Sequence, residues 1–177
     1  PLRTNLYINA FSFISPLGNT FTDSFNALIG QSRNGMVHLP NIISGKTVRF
    51  GAVKRDWLPE MPPGFLNIAG NRLLLYCLKQ LENEIKPLIE KYGRDRVAIV
   101  MGGCNTGIHE AQPAIGHYLE HGVYPTWFDL AMLEESTLSD FAAAYTGITG
   151  PGYTISTACS SSLKAFASAK NLIEAGF

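Results

Sequence analysis

A short apolar segment that passes directly into a long helical segment constrains the fold of this chain more than any other feature. Residues 153–157 have the β-branched and aromatic composition of a strand, and residues 147–152 form a turn before it. Residues 160–175 are rich in Ala and Ser, place apolar residues at helical intervals and end at Gly176, a predicted C-cap. Cys159 lies at the junction. A strand followed at once by a helix is typical of a layered α/β domain.

The same alternation continues along the rest of the chain and predicts a mostly parallel sheet with flanking helices. The predicted strands are residues 6–15, one or two short strands near 47–53, and residues 96–101. The first predicted helix begins at Thr20 or Thr22 and ends at residue 29. Further helices are predicted over 71–92, with a kink or break at Pro87, over 109–121 and over 137–145. A length of 177 residues without an internal repeat or linker suits one domain.

Composition excludes several classes of protein. A hydrophobic fraction of 46% with only 16% charged residues indicates a globular chain. The zero net charge argues against a nucleic-acid binder. The apolar run at residues 73–78 is too short to span a membrane, and polar residues interrupt any signal-peptide core. Three widely spaced cysteines indicate free thiols in the cytoplasm rather than a disulfide framework.

The zero net charge combines a basic segment with an acidic one. Between residues 23 and 56 the only charged residues are Arg33, Lys46, Arg49, Lys54 and Arg55. Between residues 96 and 164 the only charged residues are Glu110, Glu120, Asp129, Glu134, Glu135 and Asp140. Two solvated surfaces are the favoured interpretation, and a dock for an acidic partner on the basic segment is the alternative.

The position of Cys159 at the predicted start of a helix suits a nucleophile. A thiolate is the reactive form of cysteine, and the partial positive charge of a helix N-terminus stabilises it. The unpaired N–H groups of the first turn can also hold an oxyanion formed on a thioester carbonyl. Small neighbours such as Ala158 leave room for an acyl chain. The alternative is a buried structural cysteine at the start of a core helix.

The other two cysteines are weaker candidates. Cys104 follows a predicted strand within the glycine-rich residues 101–107 and is a rival nucleophile. Because this loop has neither a P-loop ending nor the G-x-G-x-x-G spacing, a tight turn is favoured over a phosphate site. Cys77 lies on the apolar face of its predicted helix and is assigned to the core.

Two further pairs of residues at a spacing of four are candidate sites. His117 and His121 could face a metal ion from one side of a helix, with Glu110 and Glu120 nearby, but the chain lacks an H-E-x-x-H motif and a cysteine ligand at fitting spacing. A solvated helix face is therefore favoured, and neither a metal nor another cofactor is predicted. For Phe141 and Tyr145, core packing is favoured over lining an acyl tunnel or a dimer interface.

Three segments, in order along the chain, resemble the β-ketoacyl-acyl-carrier-protein synthases, which are condensing enzymes of the thiolase fold. Residues 150–162, Gly-Pro-Gly-Tyr-Thr-Ile-Ser-Thr-Ala-Cys-Ser-Ser-Ser, resemble the active-site signature of that family. Residues 13–18, Phe-Ile-Ser-Pro-Leu-Gly, resemble its first strand and turn, and residues 97–107 resemble its third strand and glycine-rich loop. The resemblance implies that residues 1–177 are the N-terminal half of a thiolase-like α/β fold.

The resemblance also implies a reaction. Cys159 would accept an acyl group from a carrier-protein or coenzyme A thioester, and its N–H would be one oxyanion donor. A malonyl thioester would lose CO₂, and its carbanion would attack the acyl group to give a 3-oxoacyl thioester two carbons longer. The substrate-binding or active-site loop residues implied are Gly102, Gly103, Thr106, Gly107, Phe141 and Ser160.

The remaining catalytic residues of the family, including two histidines, lie in the second half of its fold. None of the four histidines here, His38, His109, His117 and His121, matches those motifs. We therefore expect an N-terminal fragment that leaves a sheet edge exposed and does not condense on its own. The relatives work as dimers, which implies a homodimer or a pairing with a related subunit, with the strand at 153–157 crossing the two-fold axis.

Two questions stay open at the level of sequence. Fatty-acid and polyketide-type biosynthesis are both compatible with the motifs. The alternative function is that of a non-catalytic partner similar to a chain length factor, or of an interaction module. Relatives of the chain-length-factor type replace the cysteine, whereas this chain keeps Cys159.

Overall fold

Strands and helices alternate in a computed structural model of the chain, which describes residues 5–32 and 35–177. The helices of these residues are α1 Phe21–Ile29, α2 Ala69–Gln80, α3 Glu82–Tyr92, α4 Ile108–His121, α5 Thr137–Thr146 and α6 Ser161–Glu174. The strands are β1 Met36–Ile43, β2 Lys46–Gly51, β3 Ile99–Gly102 and β4 Gly152–Ile155. The predicted α/β class is confirmed.

A parallel pair of strands, β3 and β4, forms the centre of the fold. Ile99 lies opposite Gly152, and Gly102 lies opposite Ile155. Helix α5 packs against both strands, and α6 also packs against both. Because parallel strands run in the same direction, the loops after Gly102 and Ile155 leave from the same edge, where ligand sites of α/β sheets are found. The strands predicted at 96–101 and 153–157 are confirmed, with shifted boundaries.

The predicted strand at residues 6–15 does not form. Its described residues carry no strand ladder, and only an isolated bridge joins Ser15 to Gly18, with N–H···O distances of 2.9 and 3.2 Å. A strand needs a neighbour that takes up its backbone N–H and C=O groups, and no strand of the described residues pairs with this segment. The predicted turn at residues 16–18 is present as that bridge.

The basic segment forms an antiparallel hairpin that is separate from the parallel pair. β1 and β2 pair from Met36 opposite Gly51 to Ile43 opposite Lys46, with an irregularity between Pro40 and Ile43. The strand predicted near 47–53 corresponds to β2, and its partner β1 extends back to Met36. Arg33 lies outside the described residues.

The helix predicted over residues 71–92 is two helices, and the break lies at Leu81 rather than at Pro87. Leu81 has a ψ of 4°, and its N–H bonds to the carbonyls of Cys77 and Leu78 at the end of α2. The Leu81 carbonyl accepts from the N–H groups of the first turn of α3 at 2.9 Å. Pro87 is accommodated inside α3, where it removes the one N–H that would reach the fourth preceding carbonyl.

A small core joins the start of α2, helix α4 and the segment before α5, beneath the loop that follows β3. Ile68, Ala111 and Met132 form a buried cluster, and Phe128 packs against it. Met132 belongs to a short 3-10 turn, Leu130–Leu133, that the sequence did not predict. The helices of the described residues are all too short or too polar to serve as membrane spans.

Candidate active site

The Cys159 thiol is exposed at the turn between β4 and α6. β4 ends at Ile155, a 3-10 turn covers Ala158–Ser160, and α6 begins at Ser161. Cys159 is thus the middle residue of the 3-10 turn, two residues before the helix that the sequence placed immediately after it. Its exposure contradicts the alternative of a buried structural cysteine.

Ala158, directly before the cysteine, has a left-handed backbone conformation. Its φ is +51°, a region in which the Cβ of a residue other than glycine approaches the following carbonyl oxygen. Such a conformation costs about 1–2 kcal/mol and persists only where surrounding contacts hold it. Strained backbone conformations of this kind are concentrated at functional sites, because they orient a functional group in a direction that an unstrained conformation does not allow.

Two serine hydroxyls hold this turn. The Ser161 Oγ accepts a hydrogen bond from the Thr157 N–H at 2.9 Å and donates one to the Ala158 carbonyl at 2.7 Å. The Ser160 Oγ donates to the Thr157 carbonyl at 2.9 Å and lies 3.1 Å from its Oγ1. Ser160 was among the predicted site residues, whereas Ser161 was not. The available signal was a run of serines at a helix start, where hydroxyl groups commonly satisfy free N–H groups.

Gly102 and Gly103 bring the end of β3 against the cysteine turn. A Cβ on Gly102 would lie 2.8 Å from the carbonyl carbon of Ser161 and from the nitrogen of Ser162. The Gly103 N–H donates to the Ile155 carbonyl at 3.2 Å. The structure therefore brings these two predicted loop residues next to the segment that carries Cys159.

Three other predicted site residues, Thr106, Gly107 and Phe141, contact residues of α5, the segment before it and the loop before α2 rather than the cysteine turn. The Thr106 side chain is buried, and its Oγ1 lies 3.4 Å from the Glu135 carboxylate. A Cβ on Gly107 would lie 2.8 Å from the Met132 carbonyl oxygen. Phe141 is buried, with its ring centroid 5.2 Å from that of Phe65. Their contacts position the loop and α5, and a direct role in substrate binding stays a prediction.

The backbone, rather than a charged side chain, supplies the polar groups around Cys159. Within residues 5–32 and 35–177, no ion pair or hydrogen bond joins the Cys159 side chain to another residue, and its N–H has no acceptor. An N–H without a protein acceptor beside an exposed sulfur is a suitable donor for an oxyanion formed on a group attached to that sulfur. The turn can therefore both present a nucleophile and stabilise the charge that its attack creates.

Cys104 is also exposed but has a different setting. Its loop leaves β3 at the same sheet edge as the Cys159 turn, yet α4 begins only at Ile108. Cys104 therefore lacks the helix start that adjoins Cys159. Cys77, assigned to the core by its sequence position, is partly buried in α2.

The histidine pair lies at the C-terminal end of α4. The rings of His117 and His121 stack with centroids 4.3 Å apart, and the Nδ1 atom of His117 lies 2.9 Å from the Val123 carbonyl oxygen. Glu110, considered beside them as a ligand, instead accepts the Ala69 N–H at 2.8 Å at the start of α2. The described part of the chain contains no group of three or more potential ligands that could hold a metal ion.

Comparison with known proteins points to the same region of the chain. The family model described as "Beta-ketoacyl synthase, N-terminal domain" matches residues 69–176, which include Cys159. A chain in the solved structure of the ketosynthase ApeO in complex with its chain length factor ApeC, from Xenorhabdus doucetiae, matches with a TM-score of 0.86 and 34% identity. The match covers 96% of this chain and 44% of that chain, so this chain spans less than half its length. No curated protein matches the chain.

Proposed function

Because the chain belongs to the β-ketoacyl synthase family, we propose that it supplies the nucleophilic half of a condensing enzyme that forms 3-oxoacyl thioesters. One observation carries this proposal. Cys159 is exposed in a strained turn at the carboxyl end of a parallel strand, and its own N–H is free of any described acceptor. Within this proposal, residues 1–177 form the N-terminal domain of the synthase fold.

The first step is transfer of an acyl group to Cys159. The thiolate attacks the carbonyl carbon of an acyl thioester, a new C–S bond forms, and the carbonyl oxygen becomes an oxyanion. The Cys159 N–H donates to that oxygen. When the oxyanion collapses, the original C–S bond breaks, and the leaving thiolate takes up the proton that the cysteine lost. The products are acyl-Cys159 and the free thiol of the carrier protein or coenzyme A.

The second step forms the carbon–carbon bond. A malonyl thioester loses CO₂, and the electron pair of the broken C–C bond becomes an enolate. The enolate carbon attacks the acyl-Cys159 carbonyl, the C–S bond breaks, and the cysteine leaves as a thiolate. The enolate needs hydrogen-bond donors as its charge develops, and the Cys159 turn offers none beyond its own N–H groups. We assign those donors to the part of the enzyme beyond residues 1–177.

Peptide mapping after acyl labelling tests the proposal. A radiolabelled acyl thioester, or a cerulenin-like covalent inhibitor, is incubated with the intact protein, which is then digested. We expect the label on the peptide that contains Cys159, its loss in Cys159→Ser, and its retention in the matched control Cys104→Ser. Label on Cys104 alone, or none on Cys159, contradicts the assignment.

A non-catalytic partner role is the second candidate. It is favoured by the match to a complex in which a ketosynthase is paired with a chain length factor. The retained Cys159 and its exposure count against it, because a partner without catalysis has no need of a reactive thiol. The labelling experiment separates the two functions, since only the enzyme acquires an acyl group at Cys159.

The proposed partners are an acyl carrier protein, which delivers the thioesters, and a second synthase-type subunit. Among the described residues β4 pairs only with β3, so its other edge is available to a neighbouring strand. We assign that edge to the two-fold contact of a homodimer, or of a heterodimer with a related subunit as in the ApeO–ApeC complex. We assign the choice between fatty-acid and polyketide-type products to the same part of the enzyme as the enolate donors.

A further inference from the structure

One buried serine at the cysteine turn has no role in the chemistry above. Ser161, the first residue of α6, is only 4% exposed, and its hydroxyl makes two hydrogen bonds within the turn. It accepts from the Thr157 N–H at 2.9 Å and donates to the Ala158 carbonyl at 2.7 Å. The second bond matters most, because the Ala158 carbonyl belongs to the peptide group that also contains the Cys159 N–H.

We infer that Ser161 is a positioning residue that aims the Cys159 N–H at the oxyanion, an inference that rests on the proposed function of Cys159. A peptide group is planar, and in its trans form the C=O and N–H point in opposite directions. No cis peptide bond occurs in the described residues. Holding the Ala158 carbonyl toward Ser161 therefore turns the Cys159 N–H away from the helix, where it has no described acceptor.

The same bond explains how Ala158 keeps its left-handed conformation. A φ of +51° is unfavourable for alanine, so the flanking peptide groups must be held from outside. The Ser161 hydroxyl holds the peptide group after Ala158 through the Ala158 carbonyl, and it holds the peptide group between Ser156 and Thr157 through the Thr157 N–H. Without the hydroxyl, the peptide between Ala158 and Cys159 is free to rotate toward an ordinary conformation.

The neighbouring serines do not share this role. The Ser160 hydroxyl is exposed and bonds to Thr157, so it does not touch the peptide that carries the Cys159 N–H. The side chain of Ser162 points into an exposed position on α6. Ser162→Ala is therefore a matched control for Ser161→Ala, with the same atoms removed one residue away.

Acylation of Cys159 in the intact protein provides the test. We expect Ser161→Ala to lower the maximal acylation rate roughly tenfold to a hundredfold, because a misdirected donor no longer meets the oxyanion. The thioester concentration at half-maximal rate should stay within about twofold, since ground-state binding does not use this N–H. Ser161→Thr keeps the hydroxyl and should recover most of the rate, and Ser162→Ala should match the wild type.

Alkylation by iodoacetamide separates aiming from damage to the fold. This reaction creates no oxyanion at the cysteine, so its rate in Ser161→Ala should stay near that of the wild type. If Ser161→Ala does not fold, adding Ala158→Gly removes the strain but leaves the peptide unheld, and acylation should remain slow. Unchanged acylation in Ser161→Ala, or an equal loss in Ser162→Ala, overturns the role of Ser161. Absence of acylation in the wild type overturns the proposed function itself.

Discussion

Gly102, at the end of β3, has no Cβ at a point where the backbone of another segment packs closely against it. Its position lets the backbone of Ser161 and Ser162 approach, since an added Cβ would lie 2.8 Å from atoms of both residues. We expect Gly102→Ala to lower the free energy of unfolding by about 1–3 kcal/mol, because a backbone segment rather than a flexible side chain must move. Urea denaturation measures the change.

A second glycine provides the control for that substitution. Gly116 lies inside α4, and a Cβ there would meet no atom within 4 Å. Gly116→Ala should raise the free energy of unfolding by about 0.5–1 kcal/mol, since alanine loses less backbone entropy in a helix. Equal losses for the two variants would show that the close approach at Gly102 is unimportant.

The residues of the site differ in how far the sequence could predict them. Cys159 and Ser160 stand in a recognisable signature, and both lie at the exposed turn. The part played by Ser161 depends on two hydrogen bonds and on the φ of Ala158, and neither can be read from residue types. A glycine in a loop likewise indicates conformational freedom, whereas the importance of Gly102 lies in its close contact with Ser161 and Ser162, which are far away in the sequence.

Helix α2 begins without a capping side chain of its own. Its N-cap residue is Ile68, and the Ala69 N–H is instead accepted by the Glu110 carboxylate of α4 at 2.8 Å. A carboxylate there also interacts favourably with the positive end of the helix dipole. We expect Glu110→Ala to lower the free energy of unfolding by about 1 kcal/mol, the usual cost of a lost cap.

The control for this cap lies on the same helix. Glu120 is exposed near the end of α4, with His121 at 4.0 Å as its ion-pair partner. Glu120→Ala should change the thermal midpoint little, because exposed ion pairs contribute little to stability. Glu110→Gln, whose amide oxygen still accepts, should fall between the wild type and Glu110→Ala. If the two alanine variants unfold at the same temperature, α2 does not depend on this cap.

Elements were predicted well where local pattern decides them and poorly where a partner decides them. The helices of residues 108–121, 137–146 and 161–174 and the two parallel strands follow from apolar periodicity and turn residues. Residues 6–15 have strand composition, but a strand exists only when another pairs with it, and composition does not reveal the partner. The break at Leu81 was misplaced because the proline six residues later is the stronger local signal.

Over the whole molecule, the surface retains large apolar side chains near the cysteine helix. Leu163, Phe166 and Ile173 of α6 are 76%, 51% and 50% exposed, and Phe177 is 57% exposed. Phe166, Ile173 and Phe177 line one surface cavity, and exposed apolar surface of this kind usually marks a contact with another part of a protein. The distribution agrees with the proposal that residues 1–177 are one of two parts, with a nucleophile on one and the enolate donors on the other.

That division predicts that the two chemical steps can be separated. His117 and His121 lie in the last turns of α4, a fourteen-residue helix that leads away from the sheet edge bearing Cys159, and no described histidine bonds to the cysteine. Residues 1–177 prepared alone should therefore accept an acyl group at Cys159 but form no 3-oxoacyl thioester from a malonyl thioester, because decarboxylation lacks its donors.

Mass spectrometry of the products, together with release of labelled CO₂ from the malonyl thioester, measures the second step. The intact protein is the positive control, and Cys159→Ser in the short chain gives the background for acyl transfer. Thermal unfolding of the short chain establishes that it is folded, so that absent condensation is not mistaken for absent structure. A 3-oxoacyl product made by residues 1–177 at the rate of the intact protein would place the enolate donors within this chain and contradict the division of the site.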